Sequence, residues 1–273
     1  MNAINTSTIG FIGAGNMAEA IIRGLLERKV ADRRQLLASD PSGNRRALLE
    51  NTFGVSTTTD NRDVVDRCGL ILLAVKPQVM GDILAPLRHA FRSDHLIISI
   101  AAGIPTQRID ALTGGAPAIV RVMPNTPALI GKGVTALCAG PRADARHLEV
   151  AEALFASVGS TLRVEESAMD AVTAVSGSGP AYVFYWMEAM LKAAGELGFD
   201  AATARQLVYE TFSGAVALAA SSSESPEVLR ARVTSKGGTT EAAIGVLAQA
   251  DAGGLLVKAL HAAAERSRAL SRG

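Results

Sequence analysis

Short apolar runs alternate with amphipathic segments through the first half of the chain. TIGFIG, LLASD, LILLAV, LIISIA and AIVRVM carry mostly Ile, Val, Leu and small residues, without the polar alternation of a half-exposed strand. Strands covered on both faces read this way. Between the first two runs, NMAEAIIRGLLERK places Met17, Ile21, Ile22, Leu25 and Leu26 at helical spacing. Buried strands separated by such helices predict a doubly wound α/β domain on a parallel sheet.

Beyond about residue 162 the strand signals stop and alanine-rich segments take over. AYVFYWMEAMLKAAGELG, ATARQLVYETFSGAVALAASS, SPEVLRARV and LLVKALHAAAERSRALS all read as helices, with Gly198 and Pro226 as punctuation and SSSES at 221–225 as a linker. Two domains are therefore expected, residues 1–162 of α/β type and residues 163–273 all-helical. The helix from Ala181 to Leu197 is apolar around most of its circumference. It is either deeply buried or packed against another subunit.

Composition narrows the partners. Of 273 residues, 27 are basic and 26 acidic, which gives no electrostatic reason to expect nucleic acid or an anionic membrane. No run approaches the roughly 20 apolar residues of a spanning helix. The N-terminal MNAINTSTIGF lacks the basic and apolar regions of a secretory signal, so a cytoplasmic location is expected. Cys68 and Cys138 form no C-x-x-C pair, which leaves no metal or disulfide framework. His89, His95, His147 and His261 fall in no motif and read as surface residues.

Gly13-Ala14-Gly15-Asn16-Met17-Ala18 is a G-x-G-x-x-A sequence between the first strand and the first helix. Gly13 permits the tight turn, Gly15 admits a pyrophosphate against the backbone, and Ala18 allows the helix to pack on the strand. This makes the first domain a Rossmann-type dinucleotide-binding domain. Asp40 closes the second strand, where an acid accepts from the ribose hydroxyls of NAD, but Arg45 and Arg46 follow and suit the 2′-phosphate of NADP. The residues alone leave both cofactors open. AVKPQ, IAAGIP and MPNTP end three further strands with small or turn residues, outlining a crevice at the carboxyl edge of the sheet.

A second glycine loop, TSKGGTTEAAI at 234–244, opens onto a helical run. Taken in order, GFIGAGNMAEAI, LAVKPQ, RVMPNTP, AVSGSGPAYVF and VTSKGGTTEAAI resemble pyrroline-5-carboxylate reductase across nearly the whole chain. The resemblance implies an all-α dimerisation domain after the Rossmann domain, and homodimers gathered into a larger ring such as a decamer. It implies reduction of 1-pyrroline-5-carboxylate to L-proline with NADPH, or NADH, as the last step of proline biosynthesis. It assigns Gly13, Ala14, Gly15, Asn16 and Met17 to the pyrophosphate and Ser39 and Asn61 to the adenosine ribose or its phosphate. Ala74, Val75, Lys76 and Pro77 line the cofactor, with Ala101 and Ala102 near the nicotinamide. Ser235, Gly237, Gly238, Thr239 and Thr240 form the substrate loop, and Glu166 matches an acidic residue near the imino acid. Lys236 departs from the proline that many members carry, and Arg232 receives no role.

The substrate is a small cyclic imine with one carboxylate. Backbone N–H groups at a helix N-terminus hold such an anion without an arginine. Thr239 or Thr240 can then hydrogen-bond the ring nitrogen or the carboxylate; alternatively Thr239 is simply a helix N-cap with Glu241 in its first turn. Imine reduction needs orientation and charge placement more than a strong acid. Thr240 and Glu166 are the candidate catalytic residues, Glu166 favouring the iminium form, and Ser176 and Ser178 are candidates for positioning. A 3-hydroxyacid dehydrogenase would need a base near the start of the long helix, yet Val164 to Leu191 contains no Lys, Arg or His. A catalytically silent NADP-binding regulator would have no need of GGTT.

Overall fold

The computed structural model describes residues 8–272, with the side chain of Arg272 left aside; the first seven residues of MNAINTSTIGF, the stretch on which the reading against a secretory signal rested, lie outside these residues. In chain order the elements of the first half are β1 (Ile9–Ile12), α1 (Asn16–Glu27), β2 (Leu36–Ser39), α2 (Gly43–Phe53), β3 (Ser56–Thr58), α3 (Asn61–Arg67) and β4 (Leu70–Leu73). They continue as α4 (Met80–Leu84), β5 (Leu96–Ser99), α5 (Thr106–Leu112), β6 (Ala118–Met123), β7 (Gly133–Ala139), α6 (Ala145–Phe155), β8 (Gly159–Arg163) and α7 (Met169–Val172). A π-helical turn, Thr173–Gly177, follows.

The strands form one sheet in the order β3-β2-β1-β4-β5-β6-β7-β8. All neighbours are parallel except β6 and β7. The connection between those two, residues 124–132, is too short for the dozen or more residues of a parallel crossover, so the chain turns back on itself. The five strands read from the sequence, β1, β2, β4, β5 and β6, pair in parallel as expected, and the antiparallel pair is added by β7, which the sequence did not single out. β8 then returns parallel to β7 through α6.

Strand continuity in the sequence has a direct cause. Leu36 and Ala38 enter one core with Ile9, Phe11, Ile21, Ile22 and Leu25, while Leu37 enters another with Ile71, Leu73, Ile97 and Ile119. Successive side chains of a strand point to opposite faces, and both faces are covered. Each such large side chain contributes roughly 1.5–3 kcal/mol on burial.

The described residues divide into two compact units, 8–178 with 263–272, and 179–262. The change of composition near residue 162 therefore precedes the structural division, because α7 and the π turn stay with the sheet. So do the last turns of the final helix, where Ser267 Oγ donates to Asp170 Oδ1 at 2.6 Å.

The second unit contains α8 (Gly179–Glu196), α9 (Ala201–Ser221), α10 (Pro226–Arg232), α11 (Thr239–Gln249) and the start of α12 (Ala252–Arg272). Asp200 caps α9 by accepting from the Thr203 backbone at 2.8 Å, which holds its carboxyl below the usual range. α8 has no buried residue, and Phe184 and Tyr185 are 62% and 70% exposed. Of the two readings for this helix, the exposed apolar surface fits packing against another subunit. Among the described residues no single helix is long and apolar enough to cross a membrane.

Candidate active site

Four strand ends, those of β2, β1, β4 and β5, meet along one edge of the sheet. Ile12 is in register with Ser39 on one side and Leu73 on the other, and Leu73 with Ser99. The chain leaves the row through short bonds: Gly13 N donates to Ser39 O at 2.8 Å, Ala74 N to Ile12 O at 2.8 Å, and Ile100 N to Leu73 O at 3.2 Å. The glycine loop, Ser39, Ala74 to Pro77, and Ala101 with Ala102 are thereby gathered at the point where strand order reverses, between β1 and β4.

Gly13 has φ +100°, and a Cβ there would lie 2.6 Å from the Ala74 carbonyl oxygen. Gly15 is the exposed N-cap of α1, with open space where a Cβ would project. A phosphate can therefore reach the backbone and the positive end of α1, so the cradle fits a dinucleotide. Asn16 is exposed and Met17 half-buried on the first turn.

Asp40 and the two arginines are engaged with protein groups. Asp40 Oδ2 accepts the Ala14 amide and Oδ1 the Ser42 amide, both at 2.8 Å. Arg45 Nε donates to Ala14 O at 2.6 Å while its Nη2 meets Glu19 at 2.9 Å. Arg46 Nη1 donates to Asp40 O at 2.6 Å. Rather than forming a solvated helical turn, these arginines buttress the glycine loop. The hydroxyl of Ser39, a fully buried residue, donates to Asn61 Oδ1 at 2.6 Å, which joins the end of β2 to the start of α3.

On the opposite side, Val75 is half-buried, and exposed Lys76 precedes a short 3-10 turn begun by Pro77. Ala101 is buried and Ala102 half-buried. Asn125 Oδ1 accepts from Val134 N at 3.0 Å, and its Nδ2 reaches Ser176 Oγ at 3.4 Å. The MPNTP and SGSGP motifs are thus in contact through side chains 51 residues apart.

Glu166 sits in this unit with both oxygens occupied. Oε1 accepts the Thr106 amide and Oε2 the Thr106 hydroxyl, each at 2.7 Å, and Arg121 Nη1 lies 3.4 Å away. Glu166 is half-buried among these donors. Arg121, although it opens the RVMPNTP motif, and Thr106 are 4% and 1% exposed and received no role from the sequence, because their part lies in contact with Glu166.

Both cysteines are buried and free. Burial pushes the Cys68 thiol up to about 11 and the Cys138 thiol up to about 12, the latter helped by the Glu166 charge. His95 is buried rather than a surface residue, packed edge-on against Phe91 with Nδ1 accepting from Arg92 N at 3.2 Å.

The second glycine loop stands on the helical unit. Gly237 has φ +73°, and a Cβ on Gly238 would lie 2.5 Å from Ser235 Oγ. The N-cap of α11 is Gly238, not Thr239, which is already helical. No side chain caps that end. Glu241 reaches back instead to accept the Gly237 amide at 2.7 Å. Thr240 is half-buried in the first turn, while Ser235, Lys236 and Thr239 are exposed. Nearby, Arg232 pairs with Glu224 Oε1 at 2.5 Å, whereas Glu224 Oε2 is buried without a partner. Glu224 is the acid of the SSSES stretch read as a linker.

A switch-point crevice with a glycine loop that fits a dinucleotide, followed by a separate helical unit, defines a Rossmann-type nicotinamide-dependent oxidoreductase. Residues 166–270 match the family described as pyrroline-5-carboxylate reductase dimerisation, and residues 8–103 that described as NADP oxidoreductase, coenzyme F420-dependent. The pyrroline-5-carboxylate reductase of Pseudomonas aeruginosa is 42% identical over 269 residues, 98% of each chain. A solved pyrroline-5-carboxylate reductase from Coxiella burnetii superposes with a TM-score of 0.89 at 39% identity, over 98% of this chain and 99% of that one. The pyrroline carboxylate reductase of Plasmodium falciparum, solved with NADP bound, gives 0.90 at 29% identity over 99% of both chains. The chain belongs to the pyrroline-5-carboxylate reductase family, an oxidoreductase whose role lies in proline biosynthesis. Its dimerisation region makes it a homo-oligomer.

Proposed function

We propose that the row of strand ends holds NADPH and that Ser235 to Thr240 hold 1-pyrroline-5-carboxylate for reduction to L-proline. The uncapped N-terminus of α11 behind Gly237 and Gly238 carries this reading. NADPH supplies hydride when bound, with NADH the alternative reductant. Gly13 to Met17 receive the pyrophosphate, Ser39 and Asn61 the adenosine ribose or its phosphate, Ala74 to Pro77 the middle of the molecule, and Ala101 and Ala102 the nicotinamide. A relative solved with NADP bound superposes on the chain with a TM-score of 0.90, which supports NADPH as the cofactor.

The substrate carboxylate sits on the first-turn amides of α11, where the helix dipole favours negative charge. Gly237 and Gly238 let it approach the backbone. The Thr240 hydroxyl, half-buried in that turn, is the group assigned to the ring nitrogen. An iminium is already electrophilic, so orienting it contributes more than a strong acid would. The exposed face of α8 pairs subunits, dimers gather into a ring such as a decamer, and the enzyme works in the cytoplasm.

Purified protein is expected to oxidise NADPH on addition of pyrroline-5-carboxylate, without added metal. Folded protein that consumes neither NADPH nor NADH with this imine refutes the proposal.

A further inference from the structure

We propose that Glu166 is a positioning residue that clamps the nicotinamide-facing segment, residues 100–105, through Thr106, rather than an acid that serves the substrate; this rests on the assignment of Ala101 and Ala102 to the nicotinamide. The carboxylate accepts the Thr106 amide and hydroxyl at 2.7 Å each, and Arg121 approaches its Oε1 at 3.4 Å. An acid committed to these donors is poorly placed to exchange a proton with a ligand.

Thr106 is the first residue of α5, a helix of seven residues whose N-cap, Pro105, offers no capping side chain. Its amide would otherwise be an unsatisfied first-turn donor. Glu166 supplies the missing acceptor from 60 residues away. The segment is consequently held at both ends. At the strand end, Ile100 N donates to Leu73 O at 3.2 Å and Ala101 N to Ser99 Oγ at 3.3 Å. At the helix end only the Glu166 contact fixes where α5 starts among the side-chain bonds of this region.

Two more features make the clamp stiff. Arg121 is opposite Ser99 in the β5–β6 register and 4% exposed, so its buried charge keeps the carboxylate in place. Glu166 also begins the 3-10 turn leading into α7 and the π turn whose Ser176 meets Asn125. A shift of the carboxylate would move both the alanine segment and the SGSGP turn.

The test compares Thr106→Val, Thr106→Ser, Glu166→Gln and the Glu166→Gln/Thr106→Val double variant with the unaltered enzyme. Binding is read with NADPH and with 2′,5′-ADP, which lacks the nicotinamide half. The clamp predicts that Thr106→Val and Glu166→Gln lower kcat and weaken NADPH by about tenfold while 2′,5′-ADP binding stays within about twofold. Thr106→Ser should remain near the unaltered enzyme, the double variant should be no worse than Glu166→Gln, and the pH–rate profile should keep its shape. Loss of a limb of that profile in Glu166→Gln, with Thr106→Val near normal, overturns the proposal in favour of proton transfer. Equal weakening of NADPH and 2′,5′-ADP, or lowered thermal stability with unchanged kinetics and binding, also overturns it. If Glu166→Gln does not fold, the Thr106→Val and Thr106→Ser pair decides. Absence of imine turnover by the unaltered enzyme would count against the proposed activity alone, since the two binding measurements still read the clamp.

Discussion

Gly13 stands against Ala74 so closely that a Cβ on the glycine would meet the alanine carbonyl oxygen at 2.6 Å. The two residues leave adjacent strands at the switch point, and the glycine also has φ +100°. Gly13→Ala therefore meets backbone in a conformation an L side chain resists, at a cost of about 1–3 kcal/mol before any neighbour shifts. The dissociation constant for NADPH, measured by fluorescence titration, should rise at least about tenfold. Binding unchanged in a folded variant would show that the loop does not carry the cofactor.

Thr240 separates substrate from cofactor. Thr240→Ala should reduce kcat/KM for pyrroline-5-carboxylate by about tenfold to a hundredfold, as expected for a lost hydrogen bond to a charged or developing group. Affinity for NADPH should stay nearly unchanged, because the hydroxyl is on the helical unit and the glycine cradle on the other. Equal losses in both would contradict the assignment of this loop to substrate.

Phe184 and Tyr185 lie on a helix with no buried residue. Phe184→Glu places a charge on the subunit face, and the dimer should dissociate at micromolar protein in sedimentation velocity. A variant that sediments like the unaltered oligomer would remove α8 from the interface.

His95 gives a pH signature. Its pKa is lowered from 6.5, first by burial and then by the Arg92 charge, with Asp94 and Asp66 opposing. The unfolded chain therefore binds a proton more readily than the folded one, so the stabilisation is complete above the unfolded pKa and declines as pH falls through 6.5 toward the folded value. Urea unfolding of His95→Gln should show a shallower loss of stability between about pH 7 and about pH 5 than the unaltered protein. Identical slopes would mean that His95 does not titrate differently in the two states.

Five of the eight strands could be read directly, because burial on both faces makes each a continuous apolar run. β3, β7 and β8 could not. Ser56–Thr58 is a short, partly exposed edge, and GSTLR is largely polar, so neither has an apolar face to advertise. In the site, the glycine loop and GGTT were legible because tight backbone approach demands particular small residues. Thr106 and Arg121 were not, since their meaning lies only in contact with Glu166.

By itself the sequence determined the α/β then all-helical order, the first phosphate cradle and the family, since periodicity, turn chemistry and motif order are local properties of the chain. Tertiary structure decided the antiparallel turn at β7, the division after Ser178, the burial of His95 and the use of the Glu166 carboxylate. Each of these depends on which distant group arrives beside a residue. A hydrogen bond across 60 positions leaves no periodic trace, whereas a buried strand or a glycine turn must show itself at every position it occupies.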